Sequence, residues 1–369
     1  MKMYVGLDVH SKHSTFLIQN ADGKILGKGQ IPTTLAGLRT IKDGYNLGKD
    51  TQVGFESGCM ADFVSKQLRK LGLEPVVINA HEVRLKAHRP NQKTDERDAF
   101  EICDGLRRGL YRSIVHVPPE EIAVLRRLLS RRRHFVKVQI GEVLAAKGLL
   151  RAAGLSGSVP TTLKSEKQWT VLISAAPAEL RELVEIHFSL WKSAKEHVEA
   201  LERALEQHQK PFEKDLARLT QVPGVGRIVA LTTVAIFSDV VRFPNVKHAA
   251  SYVGLTPSMY QSGTDPKDRG GRITKNGSRE LRAVLCEAAH HASSPNNPFH
   301  PYYSRLVAKR GVKMAIIAVA HRICRILFAM LRHQRDFDLH RLNVEEGPFE
   351  KLTVKRYRLK PAAKATASA

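Results

Sequence analysis

Little in this sequence invites a disulfide, a zinc site or a membrane anchor. Its four cysteines, Cys59, Cys103, Cys286 and Cys324, lie far apart and form no CxxC pair. That spacing indicates neither a disulfide framework nor a zinc site, and leaves small buried hydrophobes in a reducing compartment as the expectation. An uncharged run of about 18 apolar residues, the minimum for a spanning helix, is missing. The longest apolar stretch, Met314 to Met330, is interrupted by His321, Arg322 and Arg325. The opening MKMYVGLDVH has no apolar region of the kind a signal peptide carries. No membrane partner is therefore expected. Aromatic residues are scarce at 6%, which argues against a stacking platform for single strands.

Acidic residues are the scarcer charge, 36 against 59 Lys plus Arg, which leaves a formal charge of +23. Such an excess repels itself unless it meets a polyanion, so nucleic acid is the leading partner. A hydrophobic content of 43% makes this a folded protein, not a basic tail, and 369 residues allow two or three domains.

Along the chain, MYVGLDVHS, STFLIQ and KILGKG read as strands, with AspGly at 22–23 as a turn. TQVGFES is another strand. MADFVSKQLRKLG has helical spacing that stops at Gly72, PVVIN is a buried strand, and TDERDAFEICDGLRRG is a helix opening at Thr94. Hairpin strands followed by strand–helix–strand alternation imply an α/β domain with a mixed sheet over residues 1–118. Residues 119–215 read as helical. A long basic helix follows Pro118, GLSGSVP at 154–160 breaks it, and a second helix runs from about Ala178 to Gln209. Leu180, Leu183, His187, Leu190, Ala194, Val198, Leu201 and Leu205 fall at three- and four-residue steps on that second helix. The spacing suits a coiled-coil seam between protomers, and equally a helix docked on its own domain. Residues 216–340 form a mostly helical third segment with two helical stretches toward Arg332, and 341–369 a basic tail expected to be disordered.

Four carboxylates carry the chemistry. Asp8 sits inside the apolar run VGLDV and Glu56 ends VGFES, while Asp95 and Asp98 lie three apart at a helix start, on one face. A bare carboxylate in a buried strand is costly unless it is paired or metal-bound. If the two strands are neighbours, all four meet, and such a set calls for two divalent cations. Oxygen ligands favour Mg²⁺ or Mn²⁺ over zinc. Blander roles exist residue by residue: Asp95 can serve a helix N-terminus and Asp98 can pair with neighbours or solvent.

In the third segment, VPGVGRIVA looks like half of a helix–hairpin–helix, whose glycines and helix N-terminus can hold a phosphate. An ordinary Gly-containing corner between helices reads the same way. GLTPSMYQSGTDPKDRGGRITKNGSRELR follows, placing Ser262 among Lys267, Arg269, Arg272, Lys275 and Arg279. A serine flanked by Gly and cations can attack a phosphodiester, given a base. A turn residue has the same local signature. Arg126, Arg127, Arg131, Arg132 and Arg133 on the long basic helix form a candidate face for an RNA or DNA backbone, or a solvated charged face.

GLDVHSK, FES and TDERDA in that order, then GLTPSMYQSG and its basic stretch, resemble a group of insertion-sequence transposases related to the pilin-gene invertases. The resemblance runs from Met1 to about Arg332. It implies a RuvC-like, RNase H-type first domain in which Asp8, Glu56, Asp95 and Asp98 coordinate the metals, and a C-terminal transposase domain in which Ser262 is the nucleophile of a phosphoserine intermediate. Family members carry an acidic residue before this serine, where this chain has Gln261; Asp265 and Asp268 are the nearest substitutes. The resemblance further implies a composite active site in a dimer or tetramer, acting on element ends and target DNA in the bacterial cytoplasm, associated with the nucleoid. It also implies a bridge RNA that selects DNA by base pairing. The alternatives are a RuvC or RNase H-type nuclease without a serine intermediate, and a non-enzymatic nucleic-acid-binding protein.

Overall fold

A computed structural model of the chain describes residues 2–86, 94–259 and 270–342. The chain divides into two compact units, Met1–Pro118 and Pro119–Ala369.

The first unit opens with strands β1 (Met3–Val9), β2 (His13–Asn20) and β3 (Ile25–Pro32). Asn20 turns the β2–β3 hairpin: its side-chain carbonyl accepts from the Asp22 and Lys24 amides, and Gly23 takes φ +87°. Then come α1 (Leu35–Gly44), β4 (Gln52–Glu56), α2 (Ala61–Lys70), β5 (Glu74–Ile78), α3 (Ala80–Lys86) and α4 (Asp95–Arg107). The strands form one mixed sheet in the order β3-β2-β1-β4-β5. The β1–β2 and β2–β3 pairs are antiparallel, whereas β1–β4 and β4–β5 are parallel.

Alternation along the strands builds two cores. Val5, Leu7, Phe16, Ile18, Val53 and Phe55 face one side with Leu38 and Ile41 of α1 and Val64 and Leu68 of α2. Tyr4 and Leu17 face the other side against Ala99 and Cys103 of α4. Helix α1 was not legible as a helix in the sequence: its ten residues include two glycines, and only the Thr34 cap, which accepts from the Gly37 amide, announces it.

The second unit is mainly helical: α5 (Glu120–Ala152), α6 (Glu166–Ala175), α7 (Ala178–His208), α8 (Glu213–Leu219), α9 (Arg227–Phe237) and α10 (Val246–Val253) lead to a two-stranded pair, β6 (Pro257–Met259) and β7 (Gly270–Ile273). Helices α11 (Arg279–Ala292), α12 (His300–Arg310) and α13 (Val312–His333) complete it. Three helices stand where the sequence reading had two stretches, because Gly311, at φ +78°, breaks α12 from α13.

Helices α5 and α7 run antiparallel. Arg132 meets Glu202 at 2.6 Å near one end, and Glu142 meets His187 at 2.7 Å further along. Val184, Trp191, Ala194 and Leu205 are the buried residues of α7, while Leu183, Ile186 and Leu190 stay exposed. The helix thus docks on its own chain through only part of the seam expected from its spacing. The main core surrounds α9, apolar on all sides and buried along its length, with α11, α13 and the first turns of α5 against it. Helix α13 is long and apolar enough to cross a membrane by length and composition, with mean hydropathy 1.9 over an 18-residue window, 56% of it buried in the unit.

Candidate active site

On β1, Tyr4, Gly6 and Asp8 share the face that meets α4. Gly6 sets the approach: a Cβ there would lie 2.6 Å from the Cys103 amide nitrogen and would strike the Ala99 carbonyl. On β4, a Cβ on Gly54 would meet Leu106 at 3.1 Å and Ile102 at 3.2 Å of the same helix. Gly6 pairs with Gly54 and Leu7 with Phe55, so Asp8 and Glu56 are the next residue on each of two adjacent parallel strands. A glycine followed two positions later by a carboxylate therefore occurs on both strands, on the α4 side. The glycines let the helix sit close, and the acids reach past them at the strand ends.

Helix α4 starts beside those ends. Thr94 caps it, accepting from the Arg97 amide, and Asp95, Glu96 and Asp98 occupy the first turn. The free amides of that turn favour anions.

His10, one residue beyond β1, joins the group: its Nε2 stands 3.1 Å from Asp8 Oδ2 and 3.7 Å from Asp95 Oδ1. Asp8, His10 and Asp95 each offer a ligand atom within 4.8 Å of the others, the set among the described residues that can hold a metal ion. Burial pushes the Asp8 carboxyl above its ordinary value, His10 pulls it down, and Asp98 and Asp95 push it up again. Asp98 is thus within electrostatic reach of Asp8. Glu56 acts on Tyr111, whose hydroxyl is raised first by burial and then by Glu101 and Glu56. A half-buried carboxylate beside two others, with an imidazole against it, is a donor set that a divalent cation fits. His10 was absent from the sequence-based set. The signal for it was the spacing DVH, two residues after Asp8 and on the same side of an extended chain.

Ser262, Lys267 and Arg269 lie outside the described residues. The strands that bracket them pair, Pro257 with Ile273 and Met259 with Gly270. Arg272 lies on β7 and its carbonyl accepts from Ser258 Oγ at 2.8 Å. Lys275 follows with φ +56°, and Arg279 begins α11. The turn at 274–278 docks against the end of α10, where Gly277 has its φ at +85° and a Cβ would strike the Tyr252 carbonyl.

The arginines of α5 have separate fates. Arg126 donates from Nε to the Ala235 carbonyl at 2.8 Å and from Nη2 to Ile236 at 3.1 Å, closing the end of α9. Arg132 is held by Glu202 and Arg127 by Glu120, each at 2.6 Å, and Arg133 reaches the Arg279 carbonyl at 3.3 Å. Arg131 is exposed, with no partner among the described residues. The corner between α8 and α9 carries Gly224 at φ +94° beside a buried Val225.

Two family models match the chain. One, a transposase domain of the DEDD type found in IS110 elements, takes in residues 5–153, the span holding all four carboxylates. The other, described as "Transposase IS116/IS110/IS902 family", takes in residues 216–304, the span holding Ser262. The chain is 25% identical over 274 residues to the "Transposase for insertion sequence element IS1111A" of Coxiella burnetii, covering 72% of this chain and 74% of that one. It is 23% identical to the IS116 44.8 kDa protein of Streptomyces clavuligerus over 91% of this chain and 96% of the other. The "Pilin gene-inverting protein" of Moraxella lacunata is 32% identical over 122 residues, a match that spans 38% of its length. The chain belongs to the IS116/IS110/IS902 transposase family and is an enzyme of DNA transposition.

Proposed function

We propose that the first unit holds divalent cations, Mg²⁺ or Mn²⁺, through Asp8, Glu56, Asp95 and Asp98 with His10 as a nitrogen donor, and that Ser262 cuts the DNA strand by attacking a phosphodiester and forming a covalent phosphoserine. The observation that carries this reading is the convergence of Asp8 and His10 from β1 with Asp95 from the first turn of α4. Glu56 at the end of the adjacent strand and Asp98 one step along the helix complete a mostly oxygen donor set. Bound there, the cations would orient a nucleophile and stabilise the leaving oxygen of a phosphodiester. Asp8 offers a half-buried acceptor at the strand end, with His10 Nε2 at 3.1 Å before a cation binds.

At Ser262 the Oγ–P bond forms as the P–O bond to the leaving strand breaks. The hydroxyl proton passes to a base, for which Asp265 and Asp268 are the sequence neighbours, and the leaving oxygen is protonated in turn. Arg272 would offset charge on the phosphoryl oxygens. The domains divide the work as 1–118 for the carboxylate chemistry, 119–215 for assembly, 216–340 for the serine chemistry and 341–369 for non-specific contacts. A dimer or tetramer is supported by the apolar side chains left exposed along α7 and α5, among them Leu183, Ile186, Leu190, Ile140 and Leu144. The corner at Gly224 supports a helix–hairpin–helix contact to a phosphate backbone. A structured guide RNA fits the excess of positive charge, and the cell's nucleoid is where such a protein would act.

The test is trapping. Full-length protein is incubated with Mg²⁺, the flanking DNA of its element and co-purifying RNA, then run on a denaturing gel beside Ser262→Ala and Asp8→Ala. A covalent protein–DNA band lost in both variants is the expected result. Cleavage without that band, surviving Ser262→Ala, would replace this reading with a simple metal-dependent nuclease.

A further inference from the structure

Helix α13 carries a second feature besides its apolar side. Arg322, Arg325 and Arg332 recur at helical steps through Ala329, on a stripe beside the buried Ile323, Leu327 and Met330. The stripe forms one wall of a groove of about 850 Å³ within the second unit. Asn245 and Val246 at the start of α10 and the segment around Arg335 and Phe337 form the others.

The charges in this groove are unbalanced. Asp336 and Asp338 line it too, two carboxylates against the four arginines Arg322, Arg325, Arg332 and Arg335; Asp336 also lies 3.7 Å from Arg218, and Asp338, which accepts from the His340 amide, keeps its charge. Arg322 is half-buried, donates to the Leu342 carbonyl at 2.8 Å and lies over the Tyr302 ring at 4.7 Å. Arg332 donates to the Val240 and Phe243 carbonyls. Carbonyl partners satisfy the N–H groups and leave the positive charge in place. Burial holds the Arg322 guanidinium below its ordinary value; the Tyr302 ring opposes this, and Arg305 and Arg325 press it further down. Arg325 and Arg335 are exposed, and their side chains have no partner among the described residues. Like charges gathered at a concave surface repel one another until an anion enters, and guanidinium forks match phosphate oxygens in shape as well as charge.

We infer that the groove between α13 and residues 335–338 is a binding site for the phosphodiester backbone of a nucleic acid, contacted by Arg325 and Arg335 from either side. Its lining includes none of the arginines of α5, and it reads no sequence. The inference rests on the reading of this chain as a nucleic-acid enzyme.

The experiment measures binding of full-length protein to a labelled DNA duplex, and separately to an RNA hairpin, by fluorescence anisotropy over a range of salt. Arg325→Glu/Arg335→Glu is compared with wild type and with Lys164→Glu/Lys167→Glu, which makes the same charge change at exposed positions elsewhere in the unit. Affinity at least tenfold below that of the control, with the slope of log K against log salt reduced by about 2, is the expected result for two lost phosphate contacts. Loss on the duplex assigns the groove to DNA, and loss on the hairpin alone assigns it to RNA. A variant that binds both probes like the control, with wild-type binding intact, overturns the inference. Wild-type protein that binds neither probe would overturn the underlying reading instead. Unchanged thermal unfolding of the variant keeps the comparison free of folding effects.

Discussion

Gly6 and Cys103 stand so close that a Cβ on residue 6 would lie 2.6 Å from the Cys103 amide nitrogen. This contact lets the first turn of α4 hang over the end of β1, where Asp8 waits. Gly6→Ala is expected to push the helix away, at about 1–3 kcal/mol in stability. Its effect on the site should exceed its effect on the fold: Mn²⁺ affinity, read by calorimetry at a temperature where the variant is folded, should fall at least tenfold. Unchanged affinity would mean that the helix does not position the site.

Asp8 gives the metal-free protein a pH dependence of a particular sign. Its folded-state pKa is raised, so the fold prefers the protonated acid. That contribution is full below the unfolded value of 3.8 and is lost as pH rises through the folded pKa. The thermal unfolding midpoint in chelator should therefore fall as pH rises across that window, and Asp8→Asn should flatten this component. Adding Mg²⁺ at neutral pH should raise the wild-type midpoint and leave Asp8→Asn unmoved.

Glu82 has the opposite sign. Burial pushes its carboxyl up, but Lys86 and the Arg112 and Ser113 amides outweigh burial and hold it at about 2. Its stabilisation is present above the ordinary value of 4.5 and is lost as pH falls from there toward about 2. The clamp ties α3 to the chain that pairs Ile114 with Ile78. Urea midpoints from pH 6 to pH 2.5 should drop less steeply in Glu82→Gln, which should be the weaker protein at pH 6.

Neighbouring arginines of α5 should part company. Arg126→Ala removes the side-chain donor to the Ala235 carbonyl, while Ile236 keeps Arg242 at 3.3 Å, and should cost about 1–3 kcal/mol. Arg131→Ala should be neutral for stability and lower nucleic-acid affinity several-fold. Equal binding losses from both would return Arg126 to the binding face.

The legible parts of this molecule were those whose signal is local. An acid in the middle of VGLDV conflicts with its apolar surroundings, which pointed to Asp8, and TDER announces a helix start whatever follows. The sheet order was not local. Nothing in GLDV or VGFE states that β1 and β4 are neighbours, and the pairing of Gly6 with Gly54 explains the glycines only afterwards. His10 was passed over because an exposed histidine after a strand has no conflict to betray it. On α7 the period was read correctly as helical, but spacing cannot say which neighbour a seam meets. Val184 and Trp191 turned inward to α5 and α6, leaving Leu183 and Leu190 outside. The basic run on α5 showed charge and not engagement: the same residue type closes α9 at Arg126 and faces solvent at Arg131.

The central claim is that the end of β1 and the start of α4 hold a divalent cation. Anomalous diffraction from crystals grown with Mn²⁺ tests it most directly. The account predicts a manganese peak about 2–2.3 Å from carboxylate oxygens of Asp8 and Asp95, absent in Asp8→Asn crystals. Manganese bound elsewhere, with these carboxylates bare at a saturating concentration, would contradict it.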